Sequence, residues 1–229
     1  MGVMTLAGVN RLGSGSLRGL IGEELREVAP AEHDTLSTGV AHWDEALEGG
    51  LSVGTFCEWI VPSPSAGGQA ALLGLLAMMR RERRFVALVD ASDSFDPQSA
   101  PPVLLEHLLW VRCASVGEAM KATDVLARDE NLGMTVLDLR GVERRELKRI
   151  RSTEWYRLQR LAEKSDGVLM VFTSESMIPS AQVRVELTGE LSLDSSDASW
   201  ESVLGQVRFD VHRLRNRNLD AFRGLIQSS

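Results

Sequence analysis

Five short apolar segments, separated by stretches of helical periodicity, limit the possible folds of this chain more than any other feature. The predicted strands lie at residues 55–61, 85–90, 109–113, 133–139 and 167–173, and the predicted helices at 69–80, 99–107, 116–129 and 143–164. Uniformly apolar strands are typical of sheets covered on both faces. Because parallel strands need a long crossover, usually a helix, the pattern predicts an α/β fold with a mostly parallel sheet flanked by helices.

The last third of the chain has a different pattern. Candidate strands lie near residues 181–187, 189–193 and 206–214, and the last of these alternates apolar and polar positions at Val207 and Phe209. Alternation is typical of an antiparallel strand with one face towards solvent. We therefore predict an antiparallel C-terminal extension of the sheet.

Three regions are predicted along the chain. Residues 1–34 form an N-terminal tail and helix, with residues 1–16 rich in Gly and Ser and expected to be mobile. Residues 35–218 form the main domain, and residues 219–229 form a C-terminal amphipathic segment.

Composition excludes several classes of protein. With 229 residues, 44% of them hydrophobic, the chain can bury one sizeable core. Its formal net charge of -7 argues against a surface that binds nucleic acid everywhere. The two cysteines, Cys57 and Cys113, lie in apolar surroundings and are predicted to be reduced core residues. We find no signal peptide and no bilayer-spanning segment, so we expect a cytoplasmic protein that does not bind membranes.

The loop between the first apolar strand and the following helix stands where a phosphate-binding loop would lie. Such loops use glycines, a lysine that reaches the phosphates and a Ser or Thr that binds Mg²⁺. Here Pro62 replaces the first glycine, Gly67 is the second, Gly68 replaces the lysine and Gln69 replaces the hydroxyl residue. Phosphoryl transfer depends on positioning and charge neutralisation, so we expect no catalysis and no nucleotide cofactor.

Asp138 ends the apolar strand at 133–139, where a magnesium-binding carboxylate would stand in a nucleotide site. Without a hydroxyl partner at position 69, we interpret it as a polar residue at a strand end. The four histidines are scattered and show no metal-ligand spacing, so we predict no metal site.

Four segments in order, 36–58, 85–97, 181–187 and 206–218, together resemble the RecA family of recombinases. The first contains Thr38-Gly39, Gly49-Gly50 and Glu58, and the second ends in Asp96-Pro97. The resemblance covers roughly residues 36–218 and implies a RecA-like core. Ser92 falls where that family carries its catalytic glutamate, so the resemblance also implies an eroded catalytic site.

The departures from that family are informative. The stretches from Asp138 to Leu169 and from Ser174 to Arg184 are too short for the family's two DNA-contacting loops, so we expect no strand exchange. The chain looks most like the ImuA-type accessory factors of bacterial mutasomes. That resemblance implies a non-catalytic role in SOS-induced translesion synthesis, beside an ImuB-type polymerase-like subunit, with RecA or DNA as further partners.

Two alternatives remain open at this point. The SulA-like cell-division inhibitors also resemble RecA folds without a functional phosphate loop. The second alternative is a RecA-family ATPase with an unorthodox phosphate loop, which would use a lysine or arginine from elsewhere in the chain.

Two groups of basic residues are candidate surfaces for an acidic partner or DNA. The first, within the predicted helical region 143–164, is Arg144, Arg145, Lys148, Arg149 and Arg160. The second is Arg213, Arg215 and Arg217. The alternative is that each group is simply a solvated face. A break near Ser152–Thr153 would split the first group between two helices.

Two apolar helix faces are candidate partner-binding helices. The N-terminal one is formed by Leu17, Leu20 and Ile21, and the C-terminal one by Leu219, Phe222, Leu225 and Ile226. The alternative for each is packing against the core of its own chain.

Overall fold

A computed structural model describes residues 2–5, 35–191 and 199–214. The strands are β1 (Gly2–Thr5), β2 (Thr35–Leu36), β3 (Leu51–Ser52), β4 (Phe56–Ile60), β5 (Phe85–Asp90), β6 (Leu108–Arg112), β7 (Leu132–Asp138), β8 (Val168–Thr173), β9 (Val183–Leu187) and β10 (Phe209–Leu214). Eight of them form one sheet in the order β1-β6-β5-β7-β8-β4-β9-β10, while β2 and β3 pair separately. All neighbours in the large sheet are parallel except β9 and β10, which confirms the predicted fold class.

Helices cover both faces of this sheet. They are α1 (Ala41–Ala46), α2 (Gly68–Arg81), α3 (Pro102–Leu105), α4 (Val116–Leu126), α5 (Arg144–Leu147), α6 (Ser152–Ala162) and α7 (Trp200–Gln206). Buried side chains of α1, α2, α3 and α7 belong to one apolar cluster, and those of α4, α5 and α6 to a second. None of the helices in the described ranges is long and apolar enough to cross a membrane.

The central strands divide their side chains between these two clusters. In β5, Val86 and Leu88 belong to the cluster with α2, whereas Ala87 and Val89 belong to the cluster with α4 and α6. Successive side chains of a strand point to opposite faces, so a strand buried on both sides is apolar at most positions. This explains the uninterrupted apolar runs in the sequence.

Several predicted elements differ from the structure. The helix expected at 99–107 is only Pro102–Leu105, because Pro101 and Pro102 restrict the backbone before it. The predicted strand at 206–214 begins at Phe209, since helix α7 occupies Trp200–Gln206. Residues 189–191 of the strand expected at 189–193 are not in a strand.

The N-terminal tail also departs from its prediction. Gly2–Thr5, expected to be mobile, pairs with the exposed edge of β6 as the parallel strand β1. Edge strands present unpaired N–H and C=O groups, and backbone pairing depends little on side-chain type. The strand has only four residues, which is too short a run to stand out by pattern from the rest of the N-terminal tail.

A buried ion pair joins β4, β9 and the loop after β8. Glu58 is fully buried, and its carboxylate accepts hydrogen bonds from the backbone N–H groups of Met177 (2.7 Å) and Ile178 (3.0 Å). The guanidinium of Arg184 donates to the same carboxylate and to the carbonyl of Ile178. The pair therefore ties β4 to β9, the parallel strand on which the antiparallel β10 pairs.

We predict that Arg184→Met destabilises the protein by about 3–5 kcal/mol, because it leaves the buried Glu58 carboxylate without its cation. The free energy of unfolding in urea measures this loss. The control is Arg128→Met, which removes an exposed ion pair with Asp124 and should cost less than about 1 kcal/mol. Equal losses in the two variants would contradict a structural role for the buried pair.

Both thiols are free, and Cys57 is a core residue while Cys113 is partly buried. Burial raises the pKa of Cys57 to about 12. Burial, together with the nearby carboxylates of Glu118 and Asp90, raises the pKa of Cys113 to about 11. Since the thiolate is the reactive form, both thiols are protonated and unreactive at neutral pH in the folded state.

We therefore predict slow reaction of the native protein with Ellman's reagent at about pH 8 and fast reaction of both thiols in denaturant. The unfolded pKa of 9.0 lies below both folded values, so the folded state loses stability as the pH rises above 9.0. Chemical denaturation at a series of alkaline pH values measures that slope. Rapid labelling of either thiol in the folded protein would contradict this assignment.

Candidate functional site

The loop after β4 is closed against the C-terminal part of the chain. It contains a single helical turn, Pro64–Ala66, and then Gly67 in the left-handed region with φ +89°. A β-carbon built on Gly67 would lie 2.8 Å from a methyl group of Val207, so only glycine fits there. The carbonyl of Ser65 accepts a hydrogen bond from the N–H of Leu191 (2.8 Å). The exposed Pro62 begins this loop.

Helix α2 begins directly after the loop. In the part of the chain that the structure describes, no side chain caps its first turn. The N-terminus of a helix carries partial positive charge and free N–H groups, which is the local feature that a phosphate-binding loop uses. The loop and helix therefore have the expected connection, but the space in front of them is occupied.

The occupant is the guanidinium of Arg140. A β-carbon built on Gly68 would lie 2.5 Å from Nη1 of Arg140 and 2.8 Å from a methyl group of Val61. The guanidinium carbon of Arg140 also lies 5.2 Å from the ring centre of Phe172, in β8. Gly68 at the lysine position thus leaves room for an arginine that follows the end of β7, two strands away from β4 in the sheet.

Asp138 holds this arginine in place. Nε of Arg140 donates to both carboxylate oxygens of Asp138, at 2.9 and 3.1 Å, and Nη2 donates as well. The backbone N–H of Arg140 adds a further bond to the same carboxylate (3.1 Å). The Asp138 side chain is 0% exposed and that of Arg140 is 13% exposed. The carboxylate and the cation therefore neutralise each other in a largely dry environment.

Ser92 and Gln69 also lie at this end of the sheet and are engaged with their own chain. The hydroxyl of Ser92 accepts a hydrogen bond from the N–H of Gly141 (3.2 Å), which links the loops after β5 and β7. The amide nitrogen of Gln69 donates to the carbonyl of Asp96 (2.9 Å) and to the hydroxyl of Ser99 (3.0 Å). These contacts do not join Ser92 or Gln69 to each other or to Asp138.

Sequence reasoning missed a second buried carboxylate beside Asp138. Asp90 ends β5 in register with Asp138 and is fully buried. It accepts hydrogen bonds from the N–H groups of Ser94 (3.0 Å) and Phe95 (3.1 Å) and from the indole of Trp110 (3.3 Å). These bonds fold the loop after β5 around the carboxylate, so Asp90 acts as a structural anchor.

The charged groups of Asp138 and Arg140 at this end of the sheet are paired with each other. Within the described ranges, no group of three or more His, Cys, Asp or Glu side chains is placed to hold a metal ion. A cation approaching Asp138 would have to displace the guanidinium that binds both oxygens. A phosphate approaching α2 would have to displace the same group from Gly68.

The structure corrects the prediction of one helical region at 143–164. Residues 148–151 separate α5 from α6, and Arg151 is extended with ψ 146° while Glu154 accepts a hydrogen bond from its N–H (3.0 Å). This capping interaction starts a new helix at Ser152. Arg144 and Arg145 consequently lie on α5, Lys148 and Arg149 on the connection, and Arg160 on α6; all five side chains are exposed.

Two of the five basic side chains have acidic partners nearby. Nε of Arg144 lies 2.7 Å from a carboxylate oxygen of Glu175, and Nη2 of Arg145 lies 3.7 Å from one of Glu143. The guanidinium of Arg213 is half-buried and donates to the carbonyls of Pro179 and Ala181, both at 2.9 Å. Arg213 therefore ties β10 to its own chain rather than presenting a free cation.

The remaining predicted partner residues lie outside the described residues. They are Arg215, Arg217, Leu17, Leu20, Ile21, Leu219, Phe222, Leu225 and Ile226.

We predict that Arg140→Met destabilises the fold by about 3–5 kcal/mol, because Asp138 would remain buried without its cation. The double variant Asp138→Leu/Arg140→Met should lose less than the single one, since both buried charges are removed together. Arg144→Met, which removes an exposed pair, is the control and should cost less than about 1 kcal/mol. Urea denaturation measures all three, and additive losses would contradict coupling between Asp138 and Arg140.

Comparison with known proteins gives partial matches only. No protein-family model matches the chain. The protein RecA of Nostoc sp. (strain PCC 7120 / SAG 25.82 / UTEX 2576) and that of Trichormus variabilis (strain ATCC 29413 / PCC 7937) are each 33% identical over 107 residues, which cover 46% of this chain and 30% of the relative. The protein RecA of Crocosphaera subtropica (strain ATCC 51142 / BH68) is 30% identical over 117 residues, covering 50% of this chain and 33% of that protein.

The chain thus spans about a third of the length of the relatives it matches. Together with the mostly parallel sheet and its antiparallel C-terminal extension, the partial sequence similarity supports a RecA-like superfamily relationship for this chain.

Proposed function

We propose that this chain is a non-catalytic RecA-like accessory protein of DNA damage tolerance. In this role it contacts an ImuB-type polymerase-like subunit, with RecA or DNA as a further partner, during error-prone translesion synthesis. The observation that carries the non-catalytic part is the buried pair of Arg140 and Asp138 at the start of α2. The link to DNA damage comes from the partial similarity to proteins named RecA and from the resemblance in the sequence.

Three features of the site support the loss of catalysis. The loop carries Gly68 and Gln69 where a lysine and a hydroxyl residue would serve phosphate and Mg²⁺. The carboxylate of Asp138 already binds a cation of its own chain through both oxygens. Ser92, with a neutral hydroxyl, offers no carboxylate to activate water. A RecA-like sheet with Arg140 paired at its crevice can still bind other macromolecules through its outer surfaces.

A RecA-family ATPase with an unorthodox loop is the second candidate, and one observation favours it. Arg140 brings a positive charge to the uncapped N-terminus of α2, where a lysine would otherwise stand. In that case Arg140 would release Asp138 and bind phosphate when a nucleotide arrives. The two candidates predict opposite effects of Arg140 on nucleotide binding.

The test of catalysis is nucleotide binding by the full chain. We predict that a non-hydrolysable ATP analogue with Mg²⁺ shifts the melting temperature of the wild type by less than about 2 °C. Phosphate release should equal the blank without protein, and a P-loop ATPase with its lysine intact is the positive control. A larger thermal shift together with Mg²⁺-dependent phosphate release by the wild type would support the ATPase candidate instead.

The test of the accessory role is direct binding to a purified ImuB-type protein. We expect a complex with a Kd in the micromolar range or below, equivalent to about -8 kcal/mol or better, measured by fluorescence titration. The complex should form equally well with and without ATP and Mg²⁺, because the proposed role needs no nucleotide. No binding at micromolar concentrations would count against the accessory role.

A further inference from the structure

The outward face of α6 combines cations with an exposed aromatic ring. Trp155, Leu158 and Ala162 of this helix are buried against the sheet. The outer face of α6 is defined here as Thr153, Tyr156, Arg157 and Arg160 of the helix together with Lys164 just after its end. All five side chains are exposed, and Tyr156 is 50% exposed. An aromatic ring at this exposure leaves apolar area that a partner can cover.

The charge of this face is one-sided although the whole chain has a net charge of -7. No residue of the outer face of α6 is acidic. Arg157 pairs with Asp124 of α4 through Nε at 2.9 Å, which fixes its position. Within residues 2–5, 35–191 and 199–214, no side-chain nitrogen of Arg160 or Lys164 lies within 4.0 Å of a carboxylate oxygen. These two exposed cations, four and eight residues after Tyr156, therefore provide complementarity to carboxylates.

The spacing of the face fits a helix. Thr153, Arg157, Arg160 and Lys164 follow one another at steps of four, three and four residues. Such steps keep side chains in one seam along a helix, which is the pattern by which two helices pack side by side. A facing helix with carboxylates at three- and four-residue steps would meet these cations in succession.

We propose that the outer face of α6 docks an acidic amphipathic helix of a partner protein. Its carboxylates pair with Arg160 and Lys164, and an apolar side chain of the partner covers the ring of Tyr156. This inference rests on the proposed function, because it assigns a surface to the protein contacts of a non-catalytic accessory factor. It adds the chemistry of the partner segment, which the proposed function does not specify.

The surface favours a protein over a single-stranded nucleic acid. Single strands bind in basic grooves with several stacking platforms, whereas the outward side of one helix is convex and carries one aromatic ring. Acidic side chains also border this face: Asp124 pairs with Arg157, and Glu163 accepts a hydrogen bond from Gln159 (2.8 Å). A continuous phosphate backbone would meet these carboxylates, while a short helix can place its charges between them.

The test is a selection of displayed helical peptides of about 20 residues, which span about 30 Å, randomised along one face. Binding is selected with the wild-type chain, and the enriched peptides are synthesised and titrated by fluorescence anisotropy. We expect Asp or Glu at three- and four-residue steps with an apolar residue between them. Enriched peptides without an acidic bias would overturn the proposal.

Matched charge variants assign the binding to this face. Arg160→Glu should weaken the selected peptides at least about tenfold, whereas Arg83→Glu should change affinity less than about twofold. Arg83 is exposed after α2, on the opposite side of the sheet, and its substitution changes the net charge equally. Tyr156→Ala should weaken binding at least about fivefold by removing the apolar contact. Equal losses for Arg160→Glu and Arg83→Glu would overturn the assignment.

Two further titrations separate this inference from its rivals. The first titration uses oligothymidine of about 20 nucleotides. If it binds the wild type more tightly than the selected peptides do, and if Arg160→Glu weakens its binding equally, the face would be assigned to nucleic acid instead. An ImuB-type protein that binds wild type and Arg160→Glu equally would overturn this surface and leave the proposed function intact. Selected peptides that require Arg160, without any binding of an ImuB-type protein, would support the surface and contradict the proposed partner.

Discussion

Burial of the central parallel strands on both faces is the constraint on which the rest of this structure depends. Since β4, β5, β7 and β8 are covered by helices on each side, their ends are the places where polar groups can cluster. The carboxyl ends of β5 and β7 accordingly hold Asp90 and Asp138. Glu58 is the exception, because it is the middle residue of β4 and is paired there with Arg184. Each of the three is fully buried, and each is satisfied within the chain by donors or by a cation.

The pair of Arg140 and Asp138 gives this end of the sheet its particular character. In an open α/β sheet, the crevice beyond the strand ends is the general place for a ligand. Here a side chain of the protein occupies the corresponding space, so binding of a ligand there requires breaking a buried ion pair. The energetic cost of that step is consistent with the proposed role in protein contacts, for which we propose the outer face of α6.

The sequence predicted some residues of the candidate site and missed others. Gly68 and Gln69 are visible in the sequence as departures from a phosphate-binding loop, and Asp138 is visible at a strand end. Arg140 could not be assigned to the site from the sequence, because no local pattern places it opposite Gly68, which is 72 positions earlier in the chain. The break before α6 was weighed in advance, but the capping by Glu154 that produces it needed coordinates. The strand β1 was missed because its four residues are too few to show a pattern.

The sequence by itself determined the α/β class and the approximate positions of most strands and helices. The reason is that burial of one helix face gives a period of 3.6, burial of one strand face gives a period of two, and burial of both strand faces gives an uninterrupted apolar run. Only the tertiary structure decided which side chain fills the crevice, which carboxylates are paired and which cations remain exposed. Those contacts join residues far apart in the chain, and their geometry depends on strand order and on the paths of the loops, neither of which is encoded in local periodicity.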